Sequence, residues 1–232
     1  MNEYLLFIDT EASGLPKKWN LPYSADANWP HVLQIAWVIY RKNGTEVKQA
    51  NHYISNTNAP ISHDAAAIHG ITRQFLEDNG EGRKEVLKQL ASDIKEYQPM
   101  VVGHFIELDY RILGAEYYRS ELSNPLQKVE TFCTMLATSY LVRNPQAGFL
   151  KLGNLYQQLF TKLPEKQHDA FFDARSTAEC FFELLHRGDF SESLIDSQKK
   201  VFSNLPQVAP QNGWKLPAFI FFLVGIIILY CL

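Results

Sequence analysis

Three short stretches of the chain carry side chains that could do chemistry together. In FIDTEASGL, Asp9 and Glu11 stand two residues apart at the end of an apolar run. Period-2 strand geometry sends both carboxylates to one face, where they repel unless a cation lies between them. Asp109 follows the apolar run in VVGHFIELDYRIL. A carboxylate at the C-terminal edge of a strand lies where open α/β sheets place their sites. The same residue also fits an ordinary acid in the first turn of a helix. His168 and Asp173 lie in QHDAFFDARSTAECFFELL. Five steps along one helix would separate them by about 140°. They converge only if His168 sits in the loop before the helix, with Asp169 or a neighbour as its N-cap. Each feature alone reads equally as a solvated loop start, a helix-favouring acid or a surface histidine. Together, four carboxylates and one imidazole form an oxygen-rich cluster, which suits Mg²⁺ or Mn²⁺ better than Zn²⁺. Cys133, Cys180 and Cys231 are scattered and show no zinc-ligand spacing.

The elements that must position these residues can be read coarsely. Strands are expected at about 4–9, 32–41 and 47–55, with Asn43-Gly44 as a hairpin turn. A long polar and aromatic loop, 12–31, separates the first two. A helix over 83–97 precedes Pro99 and a buried strand at 100–105. Further helices are expected at about 108–120, 134–143, 151–160 and 170–186. Strands first, then alternating helices and strands, give an α/β domain with a mixed sheet. The 232 residues are 46% hydrophobic and 20% charged, which excludes disorder, collagen-like repeats and coiled coil as the main architecture. The net charge of −3 supplies no global basic field, so any hold on nucleic acid must be local or carried by metal ions. Three cysteines make no disulfide framework and suggest a reducing compartment. The apolar run Tyr4–Ile8 is too short for the apolar region of a secretory leader.

The last stretch differs from the rest. Leu216–Leu232 (LPAFIFFLVGIIILYCL) holds no charge, and as a helix it would reach about 25 Å against a hydrocarbon core of about 30 Å. Two readings fit: a C-terminal helix buried on the domain, or a single-pass anchor with the folded domain on the cytoplasmic side. Apolarity on every face, the Pro- and Asn-containing stretch 203–213 before it, and Trp214-Lys215 at its start favour the anchor. The expected organisation is a catalytic-type domain over 1–190, a short helix and linker over 191–215, and a transmembrane segment over 216–232.

The three blocks FIDTEASGL, VGHFIELDYRIL and HDAFFDARSTA, with AAAIHGIT at 65–72, resemble the DEDDh family of 3′–5′ exonucleases, the DnaQ-like branch that includes proofreading subunits. The resemblance covers about 4–186. It implies a ribonuclease H-like fold, here a mixed five-stranded sheet flanked by helices plus the C-terminal hydrophobic helix. It also implies two metal ions clamping a phosphodiester, with Asp9 bridging them, Glu11 and Asp173 completing one site and Asp109 serving the other. His168 is implied as general base, a task suited to an imidazole. Glu11, Ala12, Leu15 and His168 are implied to touch the substrate, with Leu15 wedged at the end base and Glu11 on the 3′-hydroxyl. The sequence departs from the family pattern at Ala12 and Ser13, where threonines are usual, and at Phe105, where asparagine is usual.

The activity expected from this resemblance is Mg²⁺- or Mn²⁺-dependent 3′–5′ exonuclease cleavage of single-stranded or frayed DNA ends, releasing nucleoside 5′-monophosphates. The alternatives are an exoribonuclease on RNA tails or oligomers, and a non-catalytic nucleic-acid-binding module held at a membrane. Lys17, Lys18, Arg41, Lys42, Arg143, Lys162 and Lys166 are candidate strand guides, and Trp19, Tyr23 and Trp29 either stack on bases or pack on the domain.

Overall fold

Alternation along the first strand sets the architecture. Leu5 and Phe7 point to one side of it and Leu6 and Ile8 to the other, and all four are buried. A strand apolar on both faces needs cover on both faces, and the computed structural model, which describes residues 1–55, 60–142 and 148–202, supplies it with helices. The elements run β1 (Tyr4–Ala12), β2 (Val32–Arg41), β3 (Glu46–Tyr53), α1 (His63–His69), α2 (Arg73–Asn79), α3 (Arg83–Tyr97), β4 (Met100–Gly103), α4 (Ile106–Arg119), β5 (Thr131–Cys133), α5 (Thr134–Ala137), α6 (Leu152–Phe160), α7 (Ala170–Arg187) and α8 (Glu192–Gln198). The five strands form one sheet in the order β3-β2-β1-β4-β5. β1 to β3 are antiparallel neighbours, while β4 and β5 add in parallel. Leu6 and Ile8, with Trp37 and Val101, pack among Leu87, Leu90 and Leu113 of α3 and α4. Leu5 and Phe7, with Val38 and Val102, pack among Leu155, Phe181 and Leu184 of α6 and α7.

Several element ends differ from the pattern in the sequence. β1 continues through its carboxylates to Ala12, because β2 supplies ladder partners as far as Glu11↔Gln34, with a bulge between Glu11 and Ala12. β4 ends at Gly103, and its pairing with β1 stops at Phe7↔Val102. Asp9 to Ala12 therefore project past the C-terminal end of β4, leaving a notch at the sheet's edge. The helix expected over 134–143 is a single short turn, α5, followed by a 3-10 turn at Ser139–Leu141. Beyond α7 the chain stays on the domain. Lys200 bridges to Thr131 at the outer edge of β5, and Phe202 packs on Tyr110 with ring centroids 4.6 Å apart. Residues 203–232, with the expected linker and anchor, lie outside the described residues. Among the described residues no helix is long and apolar enough to cross a membrane.

The long loop between β1 and β2 is fastened to α4. Tyr23 and Trp29 are each 3% exposed and cluster with Ala115, so two of the three candidate base-stacking aromatics serve packing. Arg119 donates to Asp26 Oδ1 at 2.5 Å, Trp29 O at 2.6 Å and Pro30 O at 2.9 Å. Its other partner, the buried Glu116, also pairs with Arg83 at 2.6 Å and accepts from the Val32 N–H at 3.2 Å.

Candidate active site

The odd–even alternation of β1 continues into the notch with polar residues. Leu5 and Phe7 face α7, so Asp9 and Glu11 inherit that direction, while Thr10 follows Leu6 and Ile8 toward α4. The Thr10 hydroxyl meets α4 there, donating to Asp109 Oδ1 at 2.7 Å. Asp109 lies in the first turn of α4 and is 4% exposed. From the other side, α7 begins at Asp169, whose side chain caps the helix by accepting from Phe171 N at 3.1 Å. His168 stands just outside the helix at φ 58°, and its backbone N–H donates to Asp173 Oδ2 at 3.0 Å. The left-handed turn thus brings His168 and Asp173 to the same place, which one continuous helix would not. Asp9, Glu11, Asp109, His168 and Asp173 all line one cavity of about 400 Å³.

Burial of several carboxyls in one place dominates its electrostatics, with like charge adding to it. The Asp9 carboxyl is pushed well above the carboxylate range by burial first, then by Asp109, Asp173, Glu11 and Asp169. Burial and the neighbouring acids raise Glu11 to about 8. Asp109 rises to about 7 by burial, against the opposing Thr10 hydrogen bond. Asp173 also rises to about 7 by burial, opposed by the His168 N–H. The His168 imidazole is lowered by burial and by Lys151. Glu11, His168 and Asp173 each offer a ligand atom within 4.8 Å of the others, close to the about 4 Å between opposite ligands of one Mg²⁺. Oxygen-rich donors that raise one another's pKa fit a hard divalent cation, whose charge would remove the repulsion.

Residues beyond the expected set complete the site. Gln34, polar in an otherwise apolar strand, donates to Asp169 Oδ1 at 3.0 Å and accepts from Ala170 N at 3.2 Å, docking the α7 N-terminus on the sheet. Its polarity inside VLQIAWVIY was the available signal. Lys166 pairs with Asp169 at 2.6 Å, and Arg41 and Lys42 pair with Glu3, so these three cations already have partners. Arg143 lies outside the described residues. His104 is held neutral by burial, with its pKa near 4. Its Nε2 lies 2.9 Å from Leu150 O and its Nδ1 3.0 Å from the Thr134 hydroxyl, tying the approach to α6 to the end of β4. Ser13, at one departure from the family pattern, accepts from His31 N at 2.9 Å and closes the base of the loop. Ala12, Leu15 and Trp19 line the cavity from this loop, Ile68 and His69 from α1, and Phe105 and Leu108 from the start of α4. The α1 wall carried no chemical signal of its own, only its place in AAAIHGIT.

The exonuclease family model (RNase T) matches residues 6–181. No curated protein matches the chain significantly by sequence. Among solved structures, a 3′-exonuclease recognising a histone mRNA stem-loop superposes with a TM-score of 0.63 at 15% identity, covering 81% of this chain and 65% of that one. The Escherichia coli exonuclease I complex with single-stranded DNA and zinc gives 0.67 at 16% identity, covering 84% and 42%. Exonuclease I of Methylocaldum szegediense gives 0.63 at 17% identity, again covering 84% and 42%. The chain thus spans less than two thirds of each of these proteins, and at such identities the likeness is one of fold.

Proposed function

From the premise that the chain belongs to this exonuclease family, we propose that it is a divalent-metal-dependent 3′–5′ exonuclease, releasing nucleoside 5′-monophosphates from single-stranded or frayed DNA ends. The observation that carries the reading is the meeting of Asp9, Glu11, Asp109, His168 and Asp173 in one notch at the sheet's edge. Asp9, Glu11 and Asp173 would hold one ion, and Asp9 with Asp109 a second. Bound there, the two ions supply Lewis-acid stabilisation of the phosphate oxygens and a more acidic attacking water. His168, at the mouth of the cavity, takes the proton from that water as its oxygen bonds to phosphorus. The bond to the 3′-oxygen of the penultimate nucleotide breaks, and the terminal nucleotide leaves with its 5′-phosphate. Glu11 accepts from the terminal 3′-hydroxyl, while Ala12 and Leu15 border the terminal sugar and base.

The full chain is expected to shorten a 3′-accessible oligonucleotide with Mg²⁺ or Mn²⁺ and not in EDTA. Inactivity with both metals on matched DNA and RNA oligomers would overturn the reading. Faster cleavage of RNA in the same assay, with sequences free of thymine and uracil, would replace DNA by RNA as substrate, since such oligomers differ only in the 2′-hydroxyl. The tail over 216–232 is proposed as a single-pass anchor on sequence grounds, and recovery of the full chain wholly in the soluble fraction argues against it.

A further inference from the structure

Trp19 is the one aromatic of the long loop that is only partly buried. Tyr23 and Trp29 are buried under α4, whereas Trp19 is partly exposed and lines the cavity of the acidic cluster. Its backbone is fixed from behind. Asn28, itself 7% exposed, holds the backbone of the preceding residue on both sides: Lys18 N donates to Asn28 Oδ1 at 2.8 Å, and Asn28 Nδ2 donates to Lys18 O at 2.8 Å. Asn28 is fixed in turn by the 3-10 turn Asp26–Asn28, which Arg119 holds on α4. Such a double clamp on a surface loop presents one side chain in a set orientation.

The facing residue is equally constrained. Phe105 has φ 71° and ψ 42°, a left-handed conformation that residues other than Gly, Asn and Asp seldom take. As N-cap of α4 it accepts from the Leu108 N–H through its backbone oxygen at 2.9 Å, while its ring, which can cap nothing, turns to packing. The conformation brings the Phe105 ring against Trp19, with centroids 5.8 Å apart and planes tilted by 45°. Leu15, Ile68, Leu108 and Ile112 continue this wall with carbon rather than hydrogen-bonding groups. The Trp19 indole N–H is shielded from solvent, so the residue offers its ring and not its donor.

Resting on the exonuclease reading, we infer that Trp19, backed by Phe105, stacks on the base of the nucleotide at the 3′ end, with Asn28 as the positioning residue that sets its angle. Stacking needs a π face but no particular edge pattern, so the site requires a base without selecting which one. A strand ending in an abasic residue keeps its phosphates and 3′-hydroxyl and loses only this contact.

Binding of the full chain to two oligonucleotides differing only in a normal or an abasic 3′-terminal residue tests this. The readout is fluorescence anisotropy with Ca²⁺ present, and the protein's tryptophan emission is followed in parallel. Wild type and Trp19→Phe are expected to favour the normal end by about 5- to 150-fold. Trp19→Leu, which keeps apolar bulk but no ring, should bind both ends alike. Asn28→Ala should fall between, with its affinity for the abasic end unchanged. Emission of the wild type should drop on binding the normal end, and that drop should vanish in Trp19→Phe, which gives a readout even if Trp19→Leu fails to fold. A Trp19→Leu variant that discriminates like wild type, or a wild type that binds both ends equally, overturns the assignment of Trp19 alone. A wild type that neither binds nor cuts any oligonucleotide sinks the exonuclease reading itself, and this inference with it.

Discussion

Asp9 is pressed first by burial and then by like charge from both flanking helices, because Asp109 comes from α4 and Asp173 from α7 while Glu11 is its neighbour in β1. A carboxyl whose pKa is raised in the folded state costs stability when ionised, and the cost grows as pH rises past the unfolded value. Asp9→Asn is therefore expected to abolish exonuclease activity and yet raise the melting temperature of the EDTA-treated protein at pH 8, each kcal/mol regained adding about 2–4 °C. A variant that melts lower than wild type under those conditions would show that Asp9 is not strained by its neighbours. His168 poses a different question, since it lies within ligand distance of Glu11 and Asp173 as well as at the place of a base. His168→Ala should lower kcat by about 10²- to 10⁴-fold, the usual contribution of a general base, with Mn²⁺ affinity preserved in a calorimetric titration. Loss of Mn²⁺ binding in step with activity would make the imidazole a ligand instead.

At the scale of elements, the site exists because β1 outruns β4. Pairing with β2 continues to Ala12 while pairing with β4 stops at Phe7, so the carboxylates stand on a strand that is rigid on one side and open on the other. The loop after β1 owes its fixed course to Glu116, which is 1% exposed and neutralised by Arg83 and Arg119. Glu116→Ala leaves two arginines without their buried counter-charge, a change that costs about 3–5 kcal/mol where it has been measured in other proteins. Urea unfolding should show a loss of that size, whereas Glu116→Gln, which keeps an acceptor for the Val32 N–H, should lose less. Equal stability of the alanine variant and wild type would mean that the arginines find other partners and that the loop does not depend on this ion pair. Nothing local marked the clamp, since Glu116 reads as one more helix-surface acid paired with Arg119 at i,i+3, and its other partners, Val32 and Arg83, lie 84 and 33 residues away along the chain in β2 and α3.

For the whole molecule, the acidic cluster and the buried histidines pull stability in opposite directions with pH. Glu11 rises to about 8 and Asp109 and Asp173 to about 7, so in the absence of metal these groups favour the folded state at low pH and lose that contribution as pH rises toward 8. His31 and His104 fall to about 4, so their contribution is present above the unfolded histidine value and is lost as pH falls toward 4. His69 and His168 are lowered as well, so below the ordinary histidine value the two sets oppose each other, and above it only the carboxylates still change. The melting temperature in EDTA is therefore expected to fall from pH 7 to pH 8, and saturating Mn²⁺ to restore it most at pH 8. A profile in EDTA that climbs over this range would contradict the raised carboxylate values.

How much of this was legible beforehand follows from the range over which each force acts. Local pattern marked β2 and α3 at their observed ends, required His168 ahead of its helix with Asp169 or a neighbour as cap if it was to meet Asp173, and put Asp9, Glu11, Asp109 and Asp173 at the borders of apolar runs. These depend on alternation, caps and helical period, which a stretch of ten or so residues contains. Short elements such as β5 and α1 held too few residues for a period to show. The extension of β1 through two charged residues, the left-handed Phe105, the Gln34 brace and the burial of Tyr23 and Trp29 depend on partners far along the chain. The sequence alone determined which carboxylates and which imidazole were candidates to hold a metal ion. Only the tertiary structure decided that they meet beyond the end of β4, because that meeting is set by strand register and helix docking, which no local stretch encodes.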